Sequence, residues 1–324
     1  MDTEHWKSRK VVIVGAGAVG STYAYTLALR GMAEEIVLID ANRDFAKGQA
    51  LDMMHGQAFF PSTEIREGGP EDYRDANLIV VTAGAKQLPG ETRLDLVKRN
   101  TLIIHSCIDE IVAQNSPAVV LMVSNPVDIL TFVAHKRTGW ERGRVLGSGT
   151  VLDSARFRLL LSQRCGLDVH NVHAHIMGEH GDSEFAAWSI TNMAGMPFDS
   201  FCSECTNCPN SAEARENIVH DVRHSAYHVI DYKGATWFAI ALALTQITSA
   251  ILRNHNTVLT VSAVLDGEYG EHGVALGVPS IMSWKGVEKV LEVDLPPHEK
   301  IELTKSATKL REIIASLDLP GPKK

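Results

Sequence analysis

The segment Ile176–Glu184, IMGEHGDSE, places His180 in a glycine-rich loop beyond an apolar stretch. Histidine suits reversible proton transfer because its unperturbed pKa lies near neutrality. The chain has 14 histidines, most of which must be ordinary surface or core residues, so His180 needs partners to stand out. Gly147–Arg158, GSGTVLDSARFR, offers two: Asp153 and Arg156 lie three apart and would share a helix face. The arginine fork matches a carboxylate at two points, which makes Arg156 a candidate clamp for a small acid. A third stretch, Gly84–Asp95 (GAKQLPGETRLD), follows an apolar strand at the end where loops of an open α/β sheet reach the ligand crevice.

A separate group points to a dinucleotide. Val11–Gly20, VVIVGAGAVG, puts Gly15, Gly17 and Gly20 in GxGxxG spacing between a strand and a helix. These glycines serve a tight turn, close approach to a pyrophosphate, and helix–strand packing, and the helix N-terminus then presents free N–H groups to phosphate. Asp40 closes the next strand, where a carboxylate accepts from ribose hydroxyls and repels a 2′-phosphate. NAD is therefore expected over NADP, although Lys47 lies close enough in sequence to offset Asp40 in part. Reduction of a keto acid by a nicotinamide needs a proton donor, a carboxylate clamp and a positive group over the ketone oxygen.

The elements that must hold these residues alternate in the first half. Lys10–Val14, Glu35–Ile39, Leu78–Thr82 and Ala118–Val123 are nearly continuous apolar runs, as in strands buried on both faces of a parallel sheet. Helical segments, such as Val19–Arg30 before Gly31 and Glu91–Gln114, lie between them. The pattern predicts a Rossmann-type doubly wound α/β sheet over residues 1–148, followed by an α+β substrate-binding and catalytic domain over 149–324. In the second half Val151–Arg164 reads as a helix and Val169–Met177 as one alternating strand. Helices over Ser211–Lys233 and Ala235–Arg253, broken at Gly234, precede antiparallel strands Thr257–Leu265 and Val274–Ser283 and a helix Pro297–Ala315. The closing PGPKK is expected to fray.

Composition narrows the classes. Apolar residues make up 45% of 324, ample for a core, and a net charge of −8 argues against non-specific nucleic-acid binding. No apolar run is long enough to span a bilayer, and the charged start MDTEHWKSRK has no secretory pattern, so a cytoplasmic location is expected. Five cysteines do not read as a disulfide framework. Cys202, Cys205 and Cys208 (CSECTNC) resemble the opening of an iron–sulfur or zinc motif, but no fourth cysteine follows, and Cys107 and Cys165 fall on helices elsewhere. A surface loop with reactive thiols is expected, and no metal.

From about Lys10 to Ala315 the chain resembles the bacterial-type L-lactate dehydrogenases of the lactate/malate dehydrogenase superfamily. The motifs VGAGAVGS, AGAKQLPGETRLDLV, VSNPVDILT, GSGTVLDSARFR, HAHIMGEHGDSE and KGAT stand in family order. The resemblance implies that His180 gives and takes the proton, Asp153 orients its ring, and Arg156 binds the substrate carboxylate. Arg93 would lie on a loop that closes over the substrate and polarises its carbonyl. Asn125 and Thr236 would line the pocket, while Val19, Asp40, Gly84, Ala85, Val123, Asn125 and Ser148 would contact NAD. The Asn125–Pro126 bond is expected to be cis.

Malate dehydrogenases similar to this family have arginine at the loop position of Gln87, so the neutral glutamine implies pyruvate in place of oxaloacetate. Lys86 and Leu88 depart from the asparagine and lysine common there. Lys86 would weaken that discrimination only if it turned inward. Arg158 and His173 match positions through which many bacterial members bind fructose 1,6-bisphosphate across a subunit interface, and the resemblance also implies a homotetramer. The rivals are a malate or other 2-keto acid dehydrogenase, a catalytically idle dinucleotide sensor, and a protein built around an iron–sulfur or zinc site. The sensor requires a missing catalytic group, and none is missing.

Overall fold

The computed structural model describes residues 9–86, 90–205, 207–208, 211–317, 319 and 321, and at 93 the backbone alone. Gln87, Leu88, the start of the chain and most of PGPKK therefore lie outside the described residues. In chain order the first half forms β1 (Lys10–Val14), α1 (Ala18–Arg30), β2 (Glu35–Ile39), α2 (Arg43–His55), β3 (Glu64–Glu67) and β4 (Leu78–Val81). It continues with α3 (Arg93–Ala113), β5 (Val119–Met122), α4 (Val127–Thr138) and β6 (Val145–Gly147).

These strands pair in parallel in the order β6-β5-β4-β1-β2-β3, with the switch between β1 and β4 that creates a crevice at the strand ends. Val11, Val12 and Ile13 and all of β4 are fully buried, because helices cover both faces. Gly31 ends α1 in the left-handed region, where a side chain is disfavoured. β3, sequence EIRE, has no apolar run to announce it. It sits at the sheet edge, and its Arg66 pairs with Glu35 of β2 at 2.6 Å.

The second half forms α5 (Val151–Cys165), β7 (Val172–His173), β8 (Ile176–Met177), β9 (Phe185–Ala186), β10 (Asn192–Met193) and β11 (Met196–Pro197). It then gives α6 (Phe198–Glu204), α7 (Ala212–Lys233), α8 (Phe238–Leu252), β12 (Thr257–Asp266), β13 (His272–Ser283), β14 (Gly286–Val290) and α9 (Pro297–Ala315). The single strand expected over Val169–Met177 is instead a short 3₁₀ turn followed by β7 and β8. The chain changes partners within it: β7 pairs with β10 and β8 with β9.

The sheet does not stop at the change of texture near Ser148. β12 pairs with β6 at Ser262 and Gly147, so β12, β13 and β14 extend the first-half sheet to nine strands. Buried Tyr23 of α1 bonds Thr248 of α8 at 2.5 Å, a second tie between the halves. Among the described residues no helix is long and apolar enough to cross a membrane.

Candidate active site

The glycine turn is built for close approach. Gly15 has φ +103, and a Cβ there would lie 2.7 Å from the Thr82 hydroxyl, while a Cβ on Gly20 would lie 1.9 Å from the Gly15 carbonyl oxygen. Gly17 has nothing within 4 Å of such a Cβ, so the backbone at the start of α1 faces open space. That is where a pyrophosphate needs N–H groups without side chains in the way. Asp40 accepts from the backbone N–H of Ala16 at 2.8 Å and of Asn42 at 2.9 Å, which holds its carboxylate against the turn. Gly15, Gly17 and Asp40 line one cavity of about 840 Å³. The residues present thus fit a dinucleotide. Gly20→Ala is expected to lower stability by about 1–3 kcal/mol through overpacking. Thermal unfolding reads this directly, and an unchanged midpoint would mean that the turn relaxes around the methyl group.

A second cavity, of about 620 Å³, shares Thr82, Gly84 and Ala85 with the first and is also lined by Val19, Val123, Asn125, Ser148, Arg156, His180 and Thr236. The cofactor end and the chemical end are therefore continuous. Thr236 reaches it because Gly234, at φ 85, ends α7 and turns the chain. The Asn125–Pro126 bond is cis, as expected. Lys86 also lines this cavity.

α5 begins at the end of β6, and its first turns deliver Asp153 and Arg156 to the crevice. Asp153 is buried, and its two oxygens are divided: one lies 2.7 Å from His180 Nδ1, the other accepts from Arg156 Nη1 at 2.7 Å. With Nδ1 so engaged, Nε2 is the nitrogen left for a substrate. The His180 side chain keeps 27% of its surface exposed. Burial would favour its neutral form, but the Asp153 carboxylate, aided by Glu184 and Asp128, raises its pKa to about 9. Asp153 is lowered: burial opposes its charge, and the His180 and Arg156 cations outweigh that.

Two carboxyl groups that sequence reasoning missed complete the surroundings. Asp128, on α4, accepts from the His180 backbone N–H at 2.7 Å and from the Ser262 hydroxyl at 2.5 Å. Burial raises its pKa to about 6 despite those bonds. It lies three residues after Asn125 in VSNPVDILT, and that proximity was the only signal. Glu184 is buried beside Asp153 and His180 and held well above the usual carboxylate range, by burial first and then by the Asp153 charge. Buried Asn100 of α3 donates to the Asn125 carbonyl at 2.9 Å and accepts from Ala85 N–H at 2.8 Å, tying the two loops that frame the cavity.

Other expected residues fall elsewhere. Arg93 is the first residue of α3. Gln87 lies outside the described residues. Arg158 lies at the middle of α5, partly buried, and donates to the Ala174 carbonyl at 3.0 Å beside exposed His173. His175, between β7 and β8, is pushed down to about 4 by burial and the nearby Arg158 charge, so it stays neutral near pH 7. The cysteine expectation needs correction. Cys202 is not on an exposed loop: it is buried in α6 and disulfide-bonded to Cys208. Cys165 is not elsewhere either, because the end of α5 brings its sulfur within 3.9 Å of that of Cys208.

A strand–glycine–helix cradle continuous with a carboxylate–imidazole–guanidinium cluster defines a dinucleotide-dependent oxidoreductase. Residues 9–147 match the NAD binding domain of the lactate/malate dehydrogenases and residues 150–318 match their alpha/beta C-terminal domain; the chain belongs to this family, and its cofactor is NAD. It is 54% identical to an L-lactate dehydrogenase of Treponema denticola, over 96% of this chain and 99% of that one. It is 50% identical to an L-lactate dehydrogenase of Thermoanaerobacter pseudethanolicus, again over 96% and 99%. Among solved structures, the minor L-lactate dehydrogenase of Enterococcus mundtii in its ligands-bound form superposes with a TM-score of 0.93 at 40% identity, covering 97% of this chain and 99% of that one.

Proposed function

We propose that this NAD-dependent L-lactate dehydrogenase interconverts pyruvate and (S)-lactate with the following division of labour. The observation that carries it is the unbroken chain from Arg156 through Asp153 to His180 at 2.7 Å per link, on the wall of the cavity that adjoins the dinucleotide cradle. Bound NADH supplies the hydride for the keto carbon. Arg156 has donors beyond the one spent on Asp153 and binds the substrate carboxylate. His180 Nε2 donates the proton that converts the developing alkoxide to a hydroxyl, and Asp153 fixes the tautomer and stabilises the imidazolium. Asn125 and Thr236 shape the pocket. Arg93, at the start of α3, polarises the carbonyl.

Gln87 sets the preference for pyruvate, because a second substrate carboxylate enclosed without a cation costs several kcal/mol. The position of Lys86 favours a second reading, some turnover of oxaloacetate. The test is NADH oxidation with each substrate. Pyruvate is expected to exceed oxaloacetate by about a thousandfold in kcat/KM, and Gln87→Arg to reverse much of that difference. Comparable rates with oxaloacetate in the parent enzyme would overturn the pyruvate assignment, and Lys86→Ala would show whether that lysine is responsible.

The enzyme works in the cytoplasm, as a homotetramer. Exposed Tyr25 and Leu29 on α1 and Phe238 and Leu242 on α8 form apolar i,i+4 pairs on adjacent helices, a surface suited to covering by another subunit. Arg158 and His173 belong to a fructose 1,6-bisphosphate activating site at a subunit interface, supported by the guanidinium bonded next to the exposed imidazole. The same assay with and without the bisphosphate reads this: a lowered KM for pyruvate is expected, and an unchanged KM would remove the effector role.

A further inference from the structure

We propose that Cys165, Cys202, Cys205 and Cys208, with the Cys202–Cys208 disulfide reduced, form a four-thiolate site for one zinc ion per chain. Cys202, Cys205 and Cys208 repeat the C-x₂-C spacing that lets a short segment offer several sulfurs to one metal. That set is one ligand short of a tetrahedral site. The fold supplies the fourth from a remote place in the sequence: Cys165, the last residue of α5, ends beside the segment between α6 and α7.

The distances among three of the four sulfurs suit a single ion. The sulfurs of Cys165, Cys205 and Cys208 all lie within 4.8 Å of one another, with Cys165 and Cys208 at 3.9 Å, and Cys202 joins the group through its bond to Cys208. A tetrahedral ion with Zn–S bonds of about 2.3 Å separates its sulfurs by about 3.8 Å. An iron–sulfur cluster holds its cysteines farther apart. Apolar residues, among them Leu161, Phe198 and Phe201, pack around Cys202, Cys208 and Cys165 and limit access of water.

The disulfide and the metal are mutually exclusive, since both use Cys202 and Cys208. Passage between them balances as thiol–disulfide exchange with a low-molecular-weight disulfide. A bond forms between the two protein sulfurs, the S–S bond of the small molecule breaks, and its two thiolates carry away the electron pair as zinc leaves. In a reducing cytosol the zinc form is favoured. The site lies about 18 Å along α5 from Asp153, at 1.5 Å per residue. Its role is to tie that helix to the connection leading into α7, so that metal binding contributes to folding.

The test uses the full chain reduced with a phosphine, stripped of metal, and titrated with zinc and with Co²⁺. One ion per chain is expected, with the sulfur-to-cobalt charge-transfer absorption of thiolate ligation. Cys165→Ser and Cys205→Ser are each expected to weaken uptake at least about tenfold, and Cys107→Ser, on α3, to leave it unchanged. Circular dichroism checks that the variants fold. Glutathione disulfide added to the zinc-loaded parent chain should release the ion as one disulfide forms, which decides the matter even if a variant fails to fold. No uptake by the reduced chain, uptake indifferent to Cys165→Ser, or oxidation without release would each overturn the site.

Discussion

His180→Asn is expected to lower pyruvate turnover by about 10²–10⁴-fold while NADH affinity changes little. Asparagine keeps much of the volume and leaves the backbone N–H bond to Asp128 in place, but it has no proton to give at the position of Nε2. Steady-state rates measure the first effect and quenching of protein fluorescence by NADH the second. A large loss of NADH affinity instead would show that the ring supports the cofactor cradle. The parent enzyme carries a matching pH signature. With His180 raised to about 9, kcat/KM for pyruvate should be flat below that pH and fall above it, because reduction needs the imidazolium. Lactate oxidation needs the neutral ring and should climb toward the same pH. Stability follows with the same sign. A histidine whose folded pKa is raised contributes fully below its ordinary value of 6.5, and the contribution is lost as the pH passes through about 9.

The second large effect belongs to Arg156. Replacing it by glutamine removes the partner of a substrate carboxylate and also strips a cation from buried Asp153. Truncating one side of such a pair costs about 2–5 kcal/mol, so kcat/KM for pyruvate should fall by roughly 30- to several-thousand-fold. Most of that loss is expected in KM, since the carboxylate is bound in the ground state as well as the transition state. Arg156→Lys should recover little of it, because a point charge cannot bond Asp153 and the substrate with one planar fork. Unchanged KM in Arg156→Gln, with the drop confined to kcat, would make Arg156 a positioning residue for Asp153 and not the carboxylate clamp.

These effects bear on how the site came to be readable. β1, β2, β4 and β5 were visible because each is buried on both faces and so is continuously apolar, and the glycine turn was visible because steric crowding leaves no other residue type at Gly15 or Gly20. β3 and β6 were not, since an edge strand of charged residues and a three-residue strand carry no periodic signal. The cofactor is NAD, as the Asp40 reading anticipated.

His180, Asp153 and Arg156 were nameable one by one from residue chemistry and motif order, because α5 and the loop after β8 each bring their functional groups in a short local pattern. Their convergence at 2.7 Å depends on how β6, α5 and β8 pack, which no local pattern encodes. The same holds more strongly for Asp128 and Glu184, whose shifted protonation comes from burial by segments distant in the chain. It holds for Cys165, 43 residues from Cys208 yet within 3.9 Å of it. Sequence alone thus determined the parallel α/β class and the dinucleotide turn and singled out the side chains proposed to react, because each follows from local sterics and local chemistry. Tertiary structure decided which groups meet, which are dry and which are charged, because distance and solvation arise only when remote segments pack together.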